Sequence, residues 1–196
     1  MLTKQAKTLN DAQIRALLNH VESGRYPQRD RVMVLLSIKA GMRAKEISCL
    51  RWAHMTDSEG TLTDTIRLPN IASKGKTGGR VIPMHRSLHE AVLSLLSVSG
   101  NPTADSAVLS SERNRDGLST HGVTQWFYDT YRKLGFVGAS SHSGRRTFIT
   151  RCARKITEAG GSLRDVQALA GHASISTTQR YIEESAEAKA KVVSLI

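Results

Sequence analysis

Gly171-His172-Ala173-Ser174-Ile175-Ser176-Thr177-Thr178-Gln179-Arg180-Tyr181 is the stretch from which the rest of this chain is read. A glycine stops one helix, a histidine follows it on a defined turn, Ser174 can start another helix, and a tyrosine stands nine positions after the histidine. Upstream lies His142-Ser143-Gly144-Arg145, and far ahead of it Gly41-Met42-Arg43-Ala44-Lys45-Glu46-Ile47. Two arginines supply forked donors for the non-bridging oxygens of a phosphate, two histidines can hold or pass protons, and a tyrosine offers an oxygen nucleophile. Gathered in one place, these groups suit breaking a phosphodiester with neither a metal nor an attacking water.

Outward from that stretch, the periodicity describes an α+β chain that is mainly α-helical. Asn10 reads as an N-cap with Gln13 reaching back and Leu9 stapled to Ile14, after which Ile14, Leu17, Leu18 and Val21 share a face. Pro27 opens a second helix, and the run from Val32 to Ile38 is apolar almost all round, so this helix is central and buried and ends at Gly41. Arg43 then falls on the turn into a short helix from Ala44 to Leu50, fixed to the core. Thr65 to Leu68 and Arg80 to Pro83 alternate as strands around a glycine-rich basic loop, and a strand near Trp52 to Met55 would complete a small three-stranded antiparallel sheet.

Ser87 to Glu90 reads as a capping box ahead of the face Leu88, Val92, Leu95 and Leu96, and a short strand is expected at Ala107-Val108-Leu109. Val123, Trp126, Phe127, Tyr131 and Leu134 mark the next helix. Another begins just after His142, carries Phe148, Ile149, Cys152, Ala153 and Ile156, and ends at Gly160-Gly161. Ser162 with Asp165 caps the helix that Gly171 stops. The last runs from Ser174 to near Tyr181.

Composition narrows the class of partner. With 196 residues and 39% hydrophobic content the chain can bury one core, and a formal charge of +11 favours a polyanion, because such an excess drives salt-dependent phosphate contacts. The 2 cysteines, Cys49 and Cys152, are far apart and form no Cys-x-x-Cys, against a disulfide framework or zinc knuckle. No apolar run approaches the ~20 residues of a membrane span and no signal-peptide core follows Met1, so a reducing, cytoplasmic, nucleoid-associated protein is expected.

Each motif alone is weak. His142 and Arg145, three apart on one face at a helix N-terminus, would often be a solvated pair. Arg43 beside Glu46 could be a helix-end salt bridge, His172 a structural turn residue, and Tyr181 a packed aromatic, since a free phenol is mostly protonated at neutral pH. Their joint order is specific. From Leu9 to Tyr181 the chain resembles the catalytic domain of the tyrosine recombinases, or phage integrase family: an arginine followed by Glu-Ile, a hairpin lysine, His-x-x-Arg, Gly-His and then tyrosine occur in that order.

The resemblance implies the DNA breaking-rejoining fold and the catalytic set Arg43, Lys76, His142, Arg145, His172 and Tyr181. Tyr181 would attack the scissile phosphate to leave a 3′-phosphotyrosyl link and a free 5′-hydroxyl. Arg43 and Arg145 would clamp the non-bridging oxygens, His142 would accept the tyrosine proton, and His172 would donate to the phosphate. A lysine is the family's general acid for the leaving 5′-oxygen. Lys74 and Lys76 both qualify; the spacing from Lys76 to Pro83 matches the family better, leaving Lys74 for backbone contact. Glu46, Lys74, Arg80 and Arg146 complete the set as supporting or DNA-contacting residues. No metal, cofactor or ATP is implied.

Two features depart from the family. Gly144 stands where many members have leucine, which is expected to loosen the helix start before Arg145. The catalytic pattern also begins within about ten residues of Met1, which suggests a minimal recombinase lacking the N-terminal core-binding domain, similar to the fimbrial phase-switch invertases, or an isolated catalytic fragment. The expected division is a catalytic domain over 1–184 and a tail helix over 185–196, docking on a neighbouring subunit or folding back in cis. The implied partners are double-stranded DNA and further copies of the chain, from dimer to tetramer on DNA and a monomer when free, with no membrane. A type IB topoisomerase or a catalytically silent DNA-binding regulator of the same fold are the alternatives.

Overall fold

Pro27–Lys39 forms the axis around which the molecule is built. In this computed structural model, which describes residues 6–69, 79–110, 116–181 and 193, that helix (α2) is buried on all sides from Val32 to Leu36, and α1 (Asp11–Glu22), α4 (Arg86–Val98) and α6 (Ser143–Lys155) pack around it. Its apolar circumference is therefore matched by neighbours on every side, as the run from Val32 to Ile38 requires. Each large aliphatic side chain fully buried there contributes about 1.5–3 kcal/mol by leaving water. The short α3 (Ala44–Ser48) leans on α5 (Thr120–Lys133), through which Val123, Phe127 and Tyr131 reach the main core.

The helix starts follow their local chemistry. Asn10 accepts from the Gln13 N–H at 2.8 Å while Gln13 Oε1 accepts from the Asn10 N–H at 3.1 Å, a reciprocal cap for α1. Ser162 and Asp165 cap α7 (Leu163–Ala170) in the same way, with Asp165 Oδ2 accepting from the Ser162 N–H at 2.7 Å. Ser174 caps α8 (Ile175–Gln179). The α4 start differs from expectation: His85, not Ser87, is the cap, and its ring accepts from the Ser87 N–H at 3.1 Å, so the helix begins at Arg86.

The sheet has two strands among the described residues, not three. β1 (Thr65–Leu68) pairs antiparallel with β2 (Arg80–Pro83), Ile66 opposite Ile82. The segment read as a third strand, near Trp52, is a 3₁₀ turn over Trp52–His54, closed by the Met55 N–H donating to the Trp52 carbonyl at 2.9 Å. Trp52 must bury its indole, and the turn does so while its main-chain N–H reaches the Ser106 carbonyl at 3.2 Å. Ala107 contributes only an isolated bridge to Arg51, so the strand expected at Ala107-Val108-Leu109 is an extended segment, buried but unpaired as a ladder.

A smaller cluster lies apart from the main core: Ile149, Val166 and Ala170, with Phe148, Cys152, Ala153, Ile156, Leu163 and Tyr181 against it. It joins α6, α7 and the end of α8. This is the platform that carries His172 and Tyr181.

Candidate active site

Arg43 is placed by the core beneath it. After α2 ends, the Met42 N–H returns to the Leu36 carbonyl at 3.1 Å and the Met42 side chain is fully buried, so the next residue emerges at a fixed point as the N-cap of α3. Three residues on, Glu46 is buried with no exposed side-chain surface. Its Oε2 accepts from the Arg43 N–H at 2.7 Å and its Oε1 from Arg43 Nη1 at 2.8 Å. A second guanidinium meets the same carboxylate from β2: Arg80 Nη1 and Nη2 donate to Oε1 and Oε2, each at 2.9 Å.

Arg145 arrives from α6. Its side chain is buried and donates to two main-chain carbonyls, Gly41 through Nη1 at 2.5 Å and Ala170 through Nη2 at 2.7 Å. Arg80 Nη1 also reaches the Ala170 carbonyl at 3.1 Å, and Arg43 Nη2 the Gly171 carbonyl at 3.3 Å. The last turn of α7 thus offers its unpaired carbonyls to three guanidiniums, the polarity expected at a helix C-terminus.

Electrostatics follows from this crowding. Burial pushes the Glu46 carboxyl up, but Arg80, the Arg43 N–H and the charges of Arg43 and Arg145 outweigh it and hold the group below its ordinary value. Burial lowers Arg145 to about 9, reinforced by Arg43 and Arg80 and opposed by Glu46 and Tyr181. Three guanidiniums against one carboxylate leave two positive charges uncompensated in a partly dehydrated site, which favours an incoming anion.

His172 stands at the edge of this cluster, one residue after Gly171 in its left-handed helix end. Burial, then the charges of Arg145, Arg43 and Arg80, lower its pKa to about 4, so the ring is neutral at neutral pH. Nδ1 lies 2.9 Å from the hydroxyl of Thr178, itself fully buried on α8. Tyr181 follows α8, and its ring stacks on His172 with centroids 5.6 Å apart and planes at 23°. The Arg146 guanidinium lies 5.9 Å over the other part of this aromatic pair, at the Tyr181 ring.

The structure therefore brings Arg43, Glu46, Arg80, Arg145, His172, Arg146 and Tyr181 to one place. His142 is the N-cap of α6 and is exposed, whereas Arg145, three residues on, is buried. Lys74 and Lys76 lie outside the described residues, as does the tail over 185–196 apart from Val193. Beside the cluster, a cleft of about 880 Å³ opens between β2 and α7, where Arg80, Arg164, Gln167 and His172 line it. Thr178 is the site residue that sequence reasoning missed: in Ser176-Thr177-Thr178 nothing local separates the hydroxyl that meets His172 from its neighbours.

The expected looseness at Gly144 does not occur. A Cβ there would overlap Ser37 Oγ and lie 2.9 Å from Ile38 Cγ2, so the glycine lets α6 approach α2 closely and seats Arg145 against the core. No group of three or more His, Cys, Asp or Glu among the described residues is placed to hold a metal ion, and no helix there is long and apolar enough to cross a membrane.

A helical domain with a small antiparallel hairpin, gathering arginines, histidine and tyrosine at one edge, has the architecture of tyrosine recombinase catalytic domains. The chain belongs to the phage integrase family, whose model matches residues 7–188. It is 28% identical over 184 residues to tyrosine recombinase XerA of Thermococcus kodakarensis, covering 92% of this chain and 59% of that protein. Among solved structures it resembles the Tn1549 transposon integrase in complex with a circular intermediate DNA, with a TM-score of 0.73 and 19% identity over 100% of this chain and 67% of that one. It also resembles a lambda integrase dimer bound to a core site, with a TM-score of 0.66 and 21% identity over 90% of this chain and 48% of that one. The chain spans 48–59% of the length of the curated relatives it matches.

Proposed function

We propose that the protein is a site-specific DNA recombinase or integrase that cleaves and rejoins DNA through a 3′-phosphotyrosyl link at Tyr181, without metal or ATP. The observation that carries this reading is the stacking of Tyr181 on His172 beside a buried cluster with two uncompensated positive charges. Phosphoryl transfer asks little covalent work of a protein and much positioning and charge stabilisation. Tyr181 Oη attacks the phosphorus and the 5′-oxygen leaves. The phosphodiester is exchanged for a phosphotyrosyl ester of similar energy, and a 5′-hydroxyl from a second strand reverses the step.

Arg43 and Arg145 hold the non-bridging oxygens as charge accumulates on them. Nδ1 is within hydrogen-bond distance of the Thr178 hydroxyl; in the tautomer in which Nδ1 accepts, the ring proton of His172 sits on Nε2 and is available to a phosphate oxygen. His142 takes the phenol proton, and Lys76 gives a proton to the leaving oxygen, with Lys74 on the DNA backbone. The substrate is double-stranded DNA, by analogy with the Tn1549 integrase on its circular intermediate, and the working form is a dimer to tetramer, by analogy with the lambda dimer on its core site.

The test is a nicked suicide duplex in EDTA, on which cleavage traps the covalent adduct because the short 5′ fragment diffuses away. Adduct from the wild type and none from Tyr181→Phe is expected. Adduct from both proteins would mean another residue is the nucleophile.

A further inference from the structure

Arg80 holds more of this site than a strand residue ordinarily would. Its two terminal nitrogens form a fork on both oxygens of Glu46, one of them also reaches the Ala170 carbonyl, and its side chain is only 10% exposed. It joins three elements: the hairpin strand β2, the helix α3 that Arg43 caps, and the α7 end that leads into His172. Both of its terminal nitrogens are thereby committed within the protein, even though the residue lines the cleft between β2 and α7.

The consequence lies in what neutralises Glu46. A fully buried carboxylate requires a cation, and breaking such a pair leaves a costly uncompensated charge. Arg80 supplies the bidentate partner, while Arg43 commits one side-chain nitrogen, Nη1, to Oε1. Without Arg80, Arg43 would be the sole guanidinium bonded to Glu46 and would be drawn wholly onto it.

We infer that Arg80 is a positioning residue for the reaction, which satisfies the charge of Glu46 so that the Arg43 guanidinium remains available to the scissile phosphate. This rests on the strand-transferase reading above. Arg80 touches neither phosphate nor nucleophile; it sets what Arg43 can do.

The chemistry of the substrate separates this role from a merely structural one. On a methylphosphonate linkage one charged non-bridging oxygen is replaced by a methyl group, so the linkage is neutral and charge compensation by Arg43 matters less. Arg80→Gln should slow adduct formation on ordinary suicide DNA by on the order of 100-fold, the scale of a misplaced catalytic group. It should slow the methylphosphonate at the same position by less than about a tenth of that factor. Adding Glu46→Gln to Arg80→Gln removes the unpaired carboxylate and should recover about tenfold of the lost rate; Arg80→Lys, which keeps the charge without the fork, should fall between.

Wild-type rates for Arg80→Gln, or equal losses on the two linkages with no recovery in the double variant, would overturn the inference. If the wild type forms no adduct, the strand-transferase reading fails on its own, and binding of the same proteins to uncut duplex still decides the role of Arg80. The slope of log affinity against log salt should be shallower by about 0.9 in Arg80→Gln, the change expected when Arg43 no longer neutralises one phosphate, and should return in the double variant. An unchanged slope would then overturn it.

Discussion

The space that a side chain on Gly171 would fill is occupied by Arg80: a Cβ on that glycine would overlap Arg80 Nη1 and lie 3.1 Å from its Cδ. The same residue has φ of +59°, the left-handed conformation that ends α7 and turns the chain into His172. One glycine therefore serves both the helix stop and the passage of the guanidinium that holds Glu46.

Gly171→Ala should accordingly damage the site more than its size suggests. Left-handed strain costs about 1–2 kcal/mol and the forced displacement of a packed side chain about 1–3 kcal/mol. For a chain of this length each kcal/mol lowers the melting temperature by roughly 2–4 °C. Thermal melts should show a fall of about 4–20 °C from the two effects together, accompanied by loss of covalent adduct at temperatures where the variant is still folded. A variant that melts near the wild type and cuts normally would mean Arg80 does not need this passage.

The neutral state of His172 makes stability depend on pH in a stated window. Its folded pKa of about 4 lies below the ordinary value of 6.5, so the unfolded chain takes up the proton first as pH falls. The contribution is complete above about pH 6.5 and is lost progressively towards pH 4. Allowing for screening at a half-buried ring, it amounts to about 1 kcal/mol. The difference in melting temperature between wild type and His172→Gln should narrow by a few degrees as pH is lowered across this window. A constant difference would show that burial and the arginines together do not lower the pKa of this ring.

Much of the fold is legible in the residue pattern because local chemistry and tertiary packing agree. The Asn10 and Ser162 caps, the buried run of α2 and the glycine stop at Gly171 each follow from side chains within a few positions. One misreading is local, since the His85 ring rather than Ser87 caps α4, and the others fall where a tertiary contact decided the outcome. Trp52 lies in apolar sequence that suits a strand, yet burying its indole while its N–H meets the Ser106 carbonyl selects a 3₁₀ turn. At the site, the family pattern picks out the arginines, His172 and Tyr181 in order. It does not reveal that Arg80 forks onto Glu46 across 34 positions, or that Thr178 rather than Thr177 meets the imidazole. Those partners are set by how α3, β2, α7 and α8 converge.

Thr178 offers a direct check of that convergence. Its hydroxyl, 2.9 Å from His172 Nδ1, is the group that would fix the ring and its tautomer. Thr178→Val keeps the shape and removes the hydroxyl, leaving Nδ1 without this hydrogen-bond partner. Adduct formation should fall by about 10-fold, as for loss of a supporting hydrogen bond of about 1 kcal/mol or slightly more. Thr178→Ser should retain most activity, and Thr177→Val should have no comparable effect. Equal activity of the Thr178→Val protein would place the orientation of His172 elsewhere, on its stacking with Tyr181.

Gly144 tests how closely α6 must lie on α2 for Arg145 to reach its two carbonyls. Any Cβ at this position meets Ser37 Oγ and Ser37 Cβ, the latter at 2.9 Å, and both lie on the rigid central helix. The helices must therefore part or the Ser37 rotamer must change, and Ser37 Oγ already has no hydrogen-bond partner among the described residues. Gly144→Ala gains helix propensity of up to about 1 kcal/mol and loses about 1–3 kcal/mol to overpacking, a net destabilisation of about 1–2 kcal/mol. Gly144→Leu, the residue common at this point in the family, should be worse here, because a whole isobutyl group must enter the contact. Urea unfolding should show the order wild type, alanine, leucine, and the cleavage rate should fall in the same order as Arg145 is drawn off the Gly41 and Ala170 carbonyls. If Gly144→Leu proves as stable and active as the wild type, α6 can stand off α2 without displacing Arg145, and the close approach of the two helices is not what seats it.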